Sequence, residues 1–331
     1  MKLEGYYLLW HYAQKRFGLE RANELIEAIW KGDVYFHDMS GPSLQTPYCY
    51  AFSTSMMMHE GRPYGQLHSL PPKRADSFLA QCTETTMSMS QEFAGALAPS
   101  DMIVNYAWYA KKENLPKYAI QNDFQKFVHV INNKFRTSSQ SPFTNISIFD
   151  RPKLESIFEH YTYPDGTKID IEYVIKIQEI IGNWFSKGDP NTGLPYRFPI
   201  ISLNISRDNN GNVLDPEFLD WVSNVNLKTG CFNMYANPGN KIASCCRLVN
   251  DADRMPFRAD TFGNGGLSLG SHRVVTINLP RIAERCTDTD HFENILHQTC
   301  DIARDLLLIH RYEILRRRID QGFLKFFNPL K

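Results

Sequence analysis

The two ends of the chain carry apolar residues at the spacing of amphipathic helices. In residues 3–31 the apolar positions include Leu25 and Ile29, and the period is interrupted near Gly18. The longest helical pattern covers residues 289–319. Because apolar side chains three and four residues apart share one helix face, the pattern predicts two N-terminal helices and one long C-terminal helix.

The middle of the chain alternates between helical patterns and short apolar runs. Strands are predicted at the end of residues 41–53, over residues 143–149, and within residues 193–205 after a proline-bounded turn. The predicted helices cover residues 82–107, 121–135, 153–162, 170–187 and 215–226. Mostly apolar strands that alternate with helices are typical of buried parallel strands. The pattern therefore predicts an α/β fold and leaves an open sheet and a barrel equally possible.

Composition excludes several classes of function. With 43% apolar residues and 36 basic against 36 acidic residues, the chain has a formal net charge of zero. With no net charge, the chain as a whole has no electrostatic attraction that would favour binding to nucleic acid or to an anionic membrane. No run reaches the roughly eighteen apolar residues of a membrane span, and the N-terminus lacks the features of a signal peptide. We expect a cytoplasmic protein without nucleic-acid or membrane partners.

The cysteine and histidine spacings favour reduced thiols over disulfides or metals. Seven cysteines at irregular spacing do not form a secreted disulfide framework. Neither a Cys-x-x-Cys pair nor a His-x-x-x-His spacing occurs, so no metal site is predicted. Gly263, Gly265 and Gly266 precede a strand-like run, whereas a Walker loop or dinucleotide fingerprint would open a helix.

Candidate chemistry is concentrated at three cysteines in two segments. Cys49 follows Pro47-Tyr48, and Cys245 and Cys246 are adjacent within Ala243–Leu248. An isolated cysteine is more often a small buried apolar residue, and adjacent cysteines form only a strained disulfide ring. Two adjacent thiols and a distant third are nevertheless the ingredients of dithiol chemistry at a radical site. The hydroxyl and amide cluster in Arg136–Ser147 suits either a polar loop or donors directed at a ligand's hydroxyls.

These segments resemble the catalytic subunit of the anaerobic, glycyl-radical (class III) ribonucleotide reductases. The matching pieces, in order, are Gly32–Asp38, Pro47–Phe52, Ser90–Gly95, Arg136–Asn145, Leu194–Pro199, Ser244–Leu248 and Val274–Ile282. The resemblance implies part of that family's ten-stranded α/β barrel, as a single catalytic barrel domain over residues 1–331. It would have a helical lead-in at 1–31, a barrel core at 32–285 and a helical C-terminal segment at 286–331.

The resemblance also implies roles for individual residues. Cys246 would be the thiyl-radical residue that abstracts the ribose 3′-hydrogen, and Cys49 the thiol across the ribose that helps reduce the 2′-carbon. Formate-using members resemble one another in having a methionine and a glycine before the thiyl cysteine, where this chain has Ser244 and Cys245. Cys245 is therefore expected to act in a redoxin-dependent reductant pathway. The candidate substrate-binding residues are Ser139, Gln140, Asn145 and Asn278.

The implied activity is anaerobic reduction of ribonucleoside di- or triphosphates to deoxyribonucleotides, with nucleotide effectors and a homodimeric assembly. The family's glycyl-radical loop and four-cysteine zinc site do not occur in the 331 residues, so we expect a fragment of a larger or split enzyme. No cofactor is expected on this chain. The zinc and the glycyl radical, which a radical S-adenosylmethionine activase makes, are expected on the missing C-terminal part.

Two alternatives are left open. The chain could be a catalytically inactive remnant that binds nucleotides or a partner subunit, because fold alone does not secure function. It could also be another glycyl-radical enzyme acting on a different small substrate. The distance between Cys49 and Cys246 bears on the reductase hypothesis, because both thiols must contact one bound sugar.

Overall fold

The computed structural model describes residues 2–62, 68–136, 140–239, 241–245, 248–251 and 269–324. Within these residues the chain forms two compact units. Unit 1 comprises Met1–Cys49, Glu92–Gly95 and Gly270–Lys331, and unit 2 comprises Tyr50–Gln91 and Ala96–Leu269. Each unit therefore gathers segments that are far apart in the sequence.

Helices and short strands alternate along the chain. The helices are α1 (Lys2–Phe17), α2 (Leu19–Lys31), α3 (Gly41–Leu44), α4 (Ser55–Glu60), α5 (Ala75–Met89), α6 (Met102–Lys112), α7 (Lys117–Ile131), α8 (Arg151–Ile157), α9 (Ile171–Phe185), α10 (Pro216–Thr229), α11 (Leu279–Ala283), α12 (Thr289–Ile309) and α13 (Arg316–Asp320), with a π-helix at His310–Leu315. The strands are β1 (Val34–Phe36), β2 (Tyr50–Phe52), β3 (Leu97–Pro99), β4 (Asn145–Phe149), β5 (Ile200–Arg207), β6 (Phe232–Pro238), β7 (Lys241–Ala243), β8 (Val249–Asp251), β9 (Leu269–Gly270) and β10 (Val275–Ile277). No helix in the described part of the chain is long and apolar enough to cross a lipid bilayer.

Unit 1 is a helical body with one antiparallel strand pair. Its core joins apolar side chains of α1, α2 and α12, including Leu9, Leu25 and Leu306. Gly18 separates α1 from α2 with a φ of 90°, a conformation that glycine adopts without steric cost. The two N-terminal helices predicted around Gly18 are confirmed, and the long C-terminal pattern folds as α12, the π-helix and α13. Strands β1 and β10 pair antiparallel.

Unit 2 contains a run of parallel strands in sequence order. Strand β2 pairs with β3, β4 with β5, and β5 with β6, all in parallel. A parallel bridge between Leu97 and Thr144 joins β3 to β4. Helices connect each strand to the next, as parallel pairing requires a crossover. The predicted α/β fold with buried parallel strands is confirmed. In the described residues these strands belong to two three-stranded sheets and do not close into a barrel.

Polar and apolar side chains alternate along β4 and β5. In the parallel register Ser147 lies beside Ser202, and Ile148 lies beside Leu203. One face of the sheet is therefore apolar. The opposite face, which we call the polar face, carries Asn145, Ser147, Ser202, Asn204 and Ser206, together with the apolar Ile200 and Phe149. Each of the five polar side chains is at most 4% exposed. Burial of polar groups costs free energy unless they are hydrogen-bonded, so a buried polar face requires partners or a function.

The single helix predicted over residues 82–107 is wrong. Helix α5 ends before this stretch is complete, β3 follows, and α6 starts a separate helix. Between α5 and β3, Gly95 N donates to Tyr48 O at 2.6 Å, and a Cβ at Gly95 would lie 2.5 Å from Cys49 Sγ. The glycine in this stretch therefore permits close approach to the Cys49 segment.

Candidate active site

Cys245, the first of the two adjacent cysteines, directly follows one arm of a β-hairpin in unit 2. Strands β7 and β8 pair antiparallel, and Ser244 N donates to Leu248 O at 2.9 Å across the hairpin end. Cys245 follows β7 and is fully buried. Cys246 and Arg247 lie outside the described residues, so the predicted relation between Cys49 and Cys246 stays a prediction. We call the segment from β7 to β8 the thiol hairpin.

The thiol hairpin is fixed to the polar face by its backbone. Ala243 N donates to Asn204 Oδ1 at 2.7 Å. Ala243 O accepts hydrogen bonds from Asn204 Nδ2 at 3.2 Å and from Ser147 Oγ at 3.4 Å. Since Ala243 is two residues before Cys245, these bonds fix the approach of the thiol segment to β4 and β5.

Several polar atoms around this anchor have no hydrogen-bond partner among the described residues. They are both amide atoms of Asn145, Ser202 Oγ on the same face, and Ser244 Oγ beside the thiol pair. All three side chains are at most 1% exposed. A buried polar group without a partner costs about 1–3 kcal/mol. Buried polar atoms without partners call for an explanation, such as a bound polar ligand or an ordered water.

Two buried aspartates occupy the carboxyl ends of the parallel strands. Asp101, which follows β3, accepts hydrogen bonds from Ser53 Oγ at 2.5 Å, Thr54 N at 2.7 Å and Thr54 Oγ1 at 2.6 Å. Asp150, which follows β4, accepts from the backbone N–H of Ser206 and from Ser206 Oγ at 2.9 Å. Each carboxylate thereby holds the end of the neighbouring strand.

Burial changes the pKa values of these two aspartates. Burial raises the pKa of Asp101 to about 6 and raises the pKa of Asp150 above its ordinary value. Open α/β sheets commonly bind ligands beyond the carboxyl ends of their strands. Here the ends of β2 to β5 are joined by hydrogen bonds within the protein. The unpartnered polar atoms instead lie along the strands, where the thiol hairpin is attached.

Cys49 is held by backbone bonds in unit 1. Its N–H donates to Ser271 Oγ at 3.3 Å, and its carbonyl accepts from Ser271 N at 2.8 Å. Tyr48 N donates to Ser271 O at 2.8 Å. The Cys49 side chain is 1% exposed. Of the six cysteines in the described part of the chain, none is in a disulfide.

The remaining predicted site residues have varied surroundings. Ser139 lies outside the described residues. Gln140 is exposed, and its carbonyl accepts from Arg136 N at 3.1 Å. Asn278 is the exposed N-cap of α11, where it accepts from Arg281 N at 3.2 Å and donates to Gly32 O at 3.0 Å. The substrate-binding roles of all three stay predictions, and Asn278 already has a capping function.

Sequence reasoning missed Ser202 and Asn204 and did not single out Ser147 within the Arg136–Ser147 cluster, although the sequence contains a signal for all three. Polar residues occupy every second position in Asn145-Ile146-Ser147 and again in Ser202-Leu203-Asn204. Alternation with a period of two places such residues on one face of a strand. In strands predicted to be buried, this alternation indicates a polar interior face.

Among the described residues, neither a metal-binding group nor the cavity between α5 and α7 coincides with the thiol hairpin. In the described ranges no group of three or more His, Cys, Asp or Glu side chains is arranged to hold a metal ion. A cavity of about 920 Å³ lies between α5 and α7 and is lined in part by Asp76, Glu84, Asp123, Lys126 and Phe127. None of the predicted site residues that the structure describes lines this cavity.

Comparison with known proteins adds a family and a set of similar structures. A family model described as anaerobic ribonucleoside-triphosphate reductase matches residues 7–329. No curated protein sequence matches the chain. Solved structures of the anaerobic ribonucleotide reductase from Thermotoga maritima do match. The complex with dATP and CTP is 27% identical with a TM-score of 0.82, and the structure with citrate in the active site is 28% identical with a TM-score of 0.80.

A third structure of that enzyme, with dATP bound in the specificity site, is 27% identical with a TM-score of 0.82. Each of the three alignments covers 98% of this chain. They cover 55%, 58% and 55% of the respective Thermotoga chains. The chain therefore spans a little over half the length of the structures it matches.

Proposed function

The chain belongs to the anaerobic ribonucleoside-triphosphate reductase family, and on this premise we propose that it carries out part of the thiyl-radical reduction of ribonucleotides to deoxyribonucleotides. The family match and the similar reductase structures favour neither an inactive remnant nor another glycyl-radical enzyme. Within the molecule, the proposal is carried by the attachment of the thiol hairpin to a buried polar face that has unpartnered donors and acceptors.

The polar face suits a ribose. Asn145 and Ser202 present an amide and a hydroxyl that have no hydrogen-bond partner among the described residues, and a sugar supplies hydroxyls that can both donate and accept. Binding would relieve the cost of these buried groups, which makes the interaction selective for a polar ligand. Groups on strands also hold a substrate in a defined orientation, which is the main protein contribution to radical chemistry.

The thiols account for the chemistry under this proposal. Cys246 takes the 3′-hydrogen of the ribose as a thiyl radical and returns a hydrogen to that carbon. Loss of the 2′-hydroxyl as water requires two electrons and two protons overall. Cys49 supplies one proton and one electron, Cys245 supplies the second proton and the second electron, and the two thiols are thereby oxidised together to the disulfide level. A redoxin would then return the thiols to their reduced state.

Further expectations follow from family membership. The parallel run from β2 to β6 would form part of the family's ten-stranded barrel. The glycyl radical, made by a radical S-adenosylmethionine activase, and the zinc site would lie outside these 331 residues, and the described residues offer no donor set for zinc. We also propose ribonucleoside di- or triphosphates as substrates, nucleotides as effectors and a homodimer. The Thermotoga enzyme was crystallised with dATP and CTP.

An anaerobic turnover assay tests this function. The chain is combined with a polypeptide that carries a glycyl-radical loop and with the activase, and deoxyribonucleotide formation from CTP is measured. We expect product in the complete mixture and none with Cys246→Ala. Cys300→Ala is the matched control, because the Cys300 thiol is exposed and distant in sequence from the thiol hairpin.

Two results would contradict the proposal. Equal turnover by Cys246→Ala and the unmodified chain would remove the thiyl role of Cys246. CTP binding without product in the complete mixture, measured by thermal shift and in the presence of a verified glycyl radical signal, would support an inactive remnant instead.

A further inference from the structure

Arg273 is a buried cation that forms no salt bridge with a described residue, and the Asp38 carboxylate acts on its charge only from farther away. Its side chain is 5% exposed, and no carboxylate in the described part of the chain lies within 4.0 Å of its guanidinium. Burial lowers the pKa of Arg273 to about 10, so the group is still charged at neutral pH. Enclosing a cation in this way is costly unless all of its N–H donors find acceptors. The surroundings of Arg273 supply those acceptors as four backbone carbonyls and the His310 ring, whose Nε2 lies 3.2 Å from Arg273 Nε.

The guanidinium caps the short helix α3. Its Nη2 donates to Ser43 O at 2.7 Å, to Leu44 O at 3.1 Å and to Thr46 O at 2.7 Å, and Nη1 donates to His37 O at 3.3 Å. The last carbonyls of a helix have no partners within the helix, and a cation at this end also interacts favourably with the helix dipole. Arg273 therefore fixes the turn that leads into Pro47-Tyr48-Cys49.

His310 completes the enclosure. Its Nε2 lies 3.0 Å from Arg273 Nη2 and 2.9 Å from Leu44 O. Burial and the neighbouring Arg273 charge lower the pKa of His310 well below its ordinary value, so the ring is neutral. The guanidinium also lies 5.8 Å from the ring centroid of Tyr48, the residue before Cys49. Two elements distant in sequence thus enclose the turn that precedes the thiol.

The same segment that carries Arg273 also holds Cys49 directly. Ser271, two residues earlier, bonds both the N–H and the carbonyl of Cys49. Gly95 lies on the thiol itself, where a Cβ would be 2.5 Å from Sγ. A change at Arg273 therefore acts on Cys49 along two routes, through the α3 turn before it and through the Ser271 pairing beside it.

We propose that Arg273 is a positioning residue that fixes the Cys49 thiol by capping α3 and anchoring the Ser271 segment. The importance of Arg273 for turnover rests on the proposed function of Cys49. The contacts by which Arg273 holds the α3 turn and the Ser271 segment, which we call the clamp, lie within unit 1. Because Arg273 acts through backbone atoms and touches no reacting group, we expect its loss to affect where the thiol lies.

Site-resolved alkylation of the full chain tests the clamp. Iodoacetamide labelling under native conditions is followed by peptide mass spectrometry for Arg273→Gln and for Arg273→Lys. Cys49 should react about tenfold faster or more in Arg273→Gln, because several hydrogen bonds to a charged group are lost. Arg273→Lys should restore part of the protection, because an ammonium keeps the charge but cannot reach all the carbonyls at once.

Internal references separate repositioning from unfolding. Exposed Cys300 should react quickly in every variant, and Cys82, which is 0% exposed, should stay slow. Arg285→Gln is the matched control, because it removes a surface arginine of the same unit that pairs with Asp33 at 2.8 Å. Its Cys49 should react at the unmodified rate. If circular dichroism shows that Arg273→Gln is unfolded, the Cys49 alkylation rates of Arg273→Lys and Arg285→Gln are compared instead to test the proposal.

Two results would overturn the clamp. The first is a Cys49 alkylation rate in folded Arg273→Gln within about twofold of the Arg285→Gln control, because so small a change is less than the loss of one charged hydrogen bond would give. The second, which applies if Arg273→Gln is unfolded, is equal protection of Cys49 in Arg273→Lys and Arg285→Gln. Failure of the proposed function is seen differently. If Cys49→Ser keeps full turnover, Cys49 is not the reductant, while faster alkylation in Arg273→Gln still supports the clamp.

Discussion

Replacement of Asn145 by leucine should make the protein more stable and less able to bind its substrate. Both amide atoms of Asn145 are buried without a partner among the described residues, and the side chain is 1% exposed. Each unsatisfied group costs about 1–3 kcal/mol, and leucine has a similar size without polar atoms. We expect the free energy of unfolding to rise by about 1–3 kcal/mol in Asn145→Leu, because the penalty is removed and apolar surface is buried.

Asn105 provides the matched control in the same unit. It is fully buried, but its Nδ2 donates to Thr54 Oγ1 at 2.8 Å and its Oδ1 accepts from Tyr161 OH at 3.1 Å. Leucine at position 105 would remove both bonds. Asn105→Leu should therefore lower the free energy of unfolding by about 2 kcal/mol or more, the opposite sign from Asn145→Leu.

Urea denaturation followed by circular dichroism measures both changes, and CTP-induced thermal shifts measure binding. A ligand that binds only the folded state raises its stability in proportion to affinity, so the shift seen with the unmodified chain should shrink in Asn145→Leu. The reasoning is refuted if Asn145→Leu destabilises the chain by more than about 1 kcal/mol, since the amide must then be satisfied within the protein. An unchanged CTP shift would separately exclude Asn145 from the binding surface.

Three further predictions concern the thiols and the strand ends. Gly95→Ala should destabilise the chain by about 1–3 kcal/mol in urea denaturation, because the added Cβ would lie 2.5 Å from Cys49 Sγ; equal stability would show that the segment moves freely. The pKa of Asp101 is raised from 3.8 to about 6, so between these pH values the folded state keeps a proton that the unfolded state loses. The free energy of unfolding should therefore fall by up to about 3 kcal/mol as the pH rises from about 4 to 7. Asp101→Asn should flatten this dependence in denaturation series across that range, and an unchanged slope would assign the fall to other groups. Cys245→Ser should abolish turnover driven by a dithiol reductant in the reconstituted anaerobic assay, whereas unchanged rates would exclude Cys245 from the reductant pathway.

Local patterns were sufficient for the helices and for the fold class. The helical period around Gly18 and over residues 289–319 reflects side chains that meet on one helix face, which depends only on near neighbours. The alternation of helices with apolar strands gave the α/β prediction for a similar reason. Local patterns were not sufficient over residues 82–107, where a single helix was wrongly predicted. The small residues of this stretch suit helix packing and equally suit the close approach of Gly95 to Cys49, so the pattern does not distinguish the two.

The candidate site was predictable only in part. The sequence made Cys49, Cys245 and Asn145 candidates, because their segments resemble a known family, and their roles stay predictions. It did not identify Ser202, whose role depends on which face of β5 is buried. Nor did it identify Arg273, whose acceptors lie more than two hundred residues earlier in the chain.

The sequence alone therefore determined the local elements, the charge balance and the family, because each is encoded in residue type and near spacing. The tertiary structure decided which polar residues share a buried face, where the thiol hairpin is attached and which cation caps the turn before Cys49. These features arise from hydrogen bonds and close packing between segments that are distant in sequence. Such contacts have no local signature, because their partners are brought together only by folding.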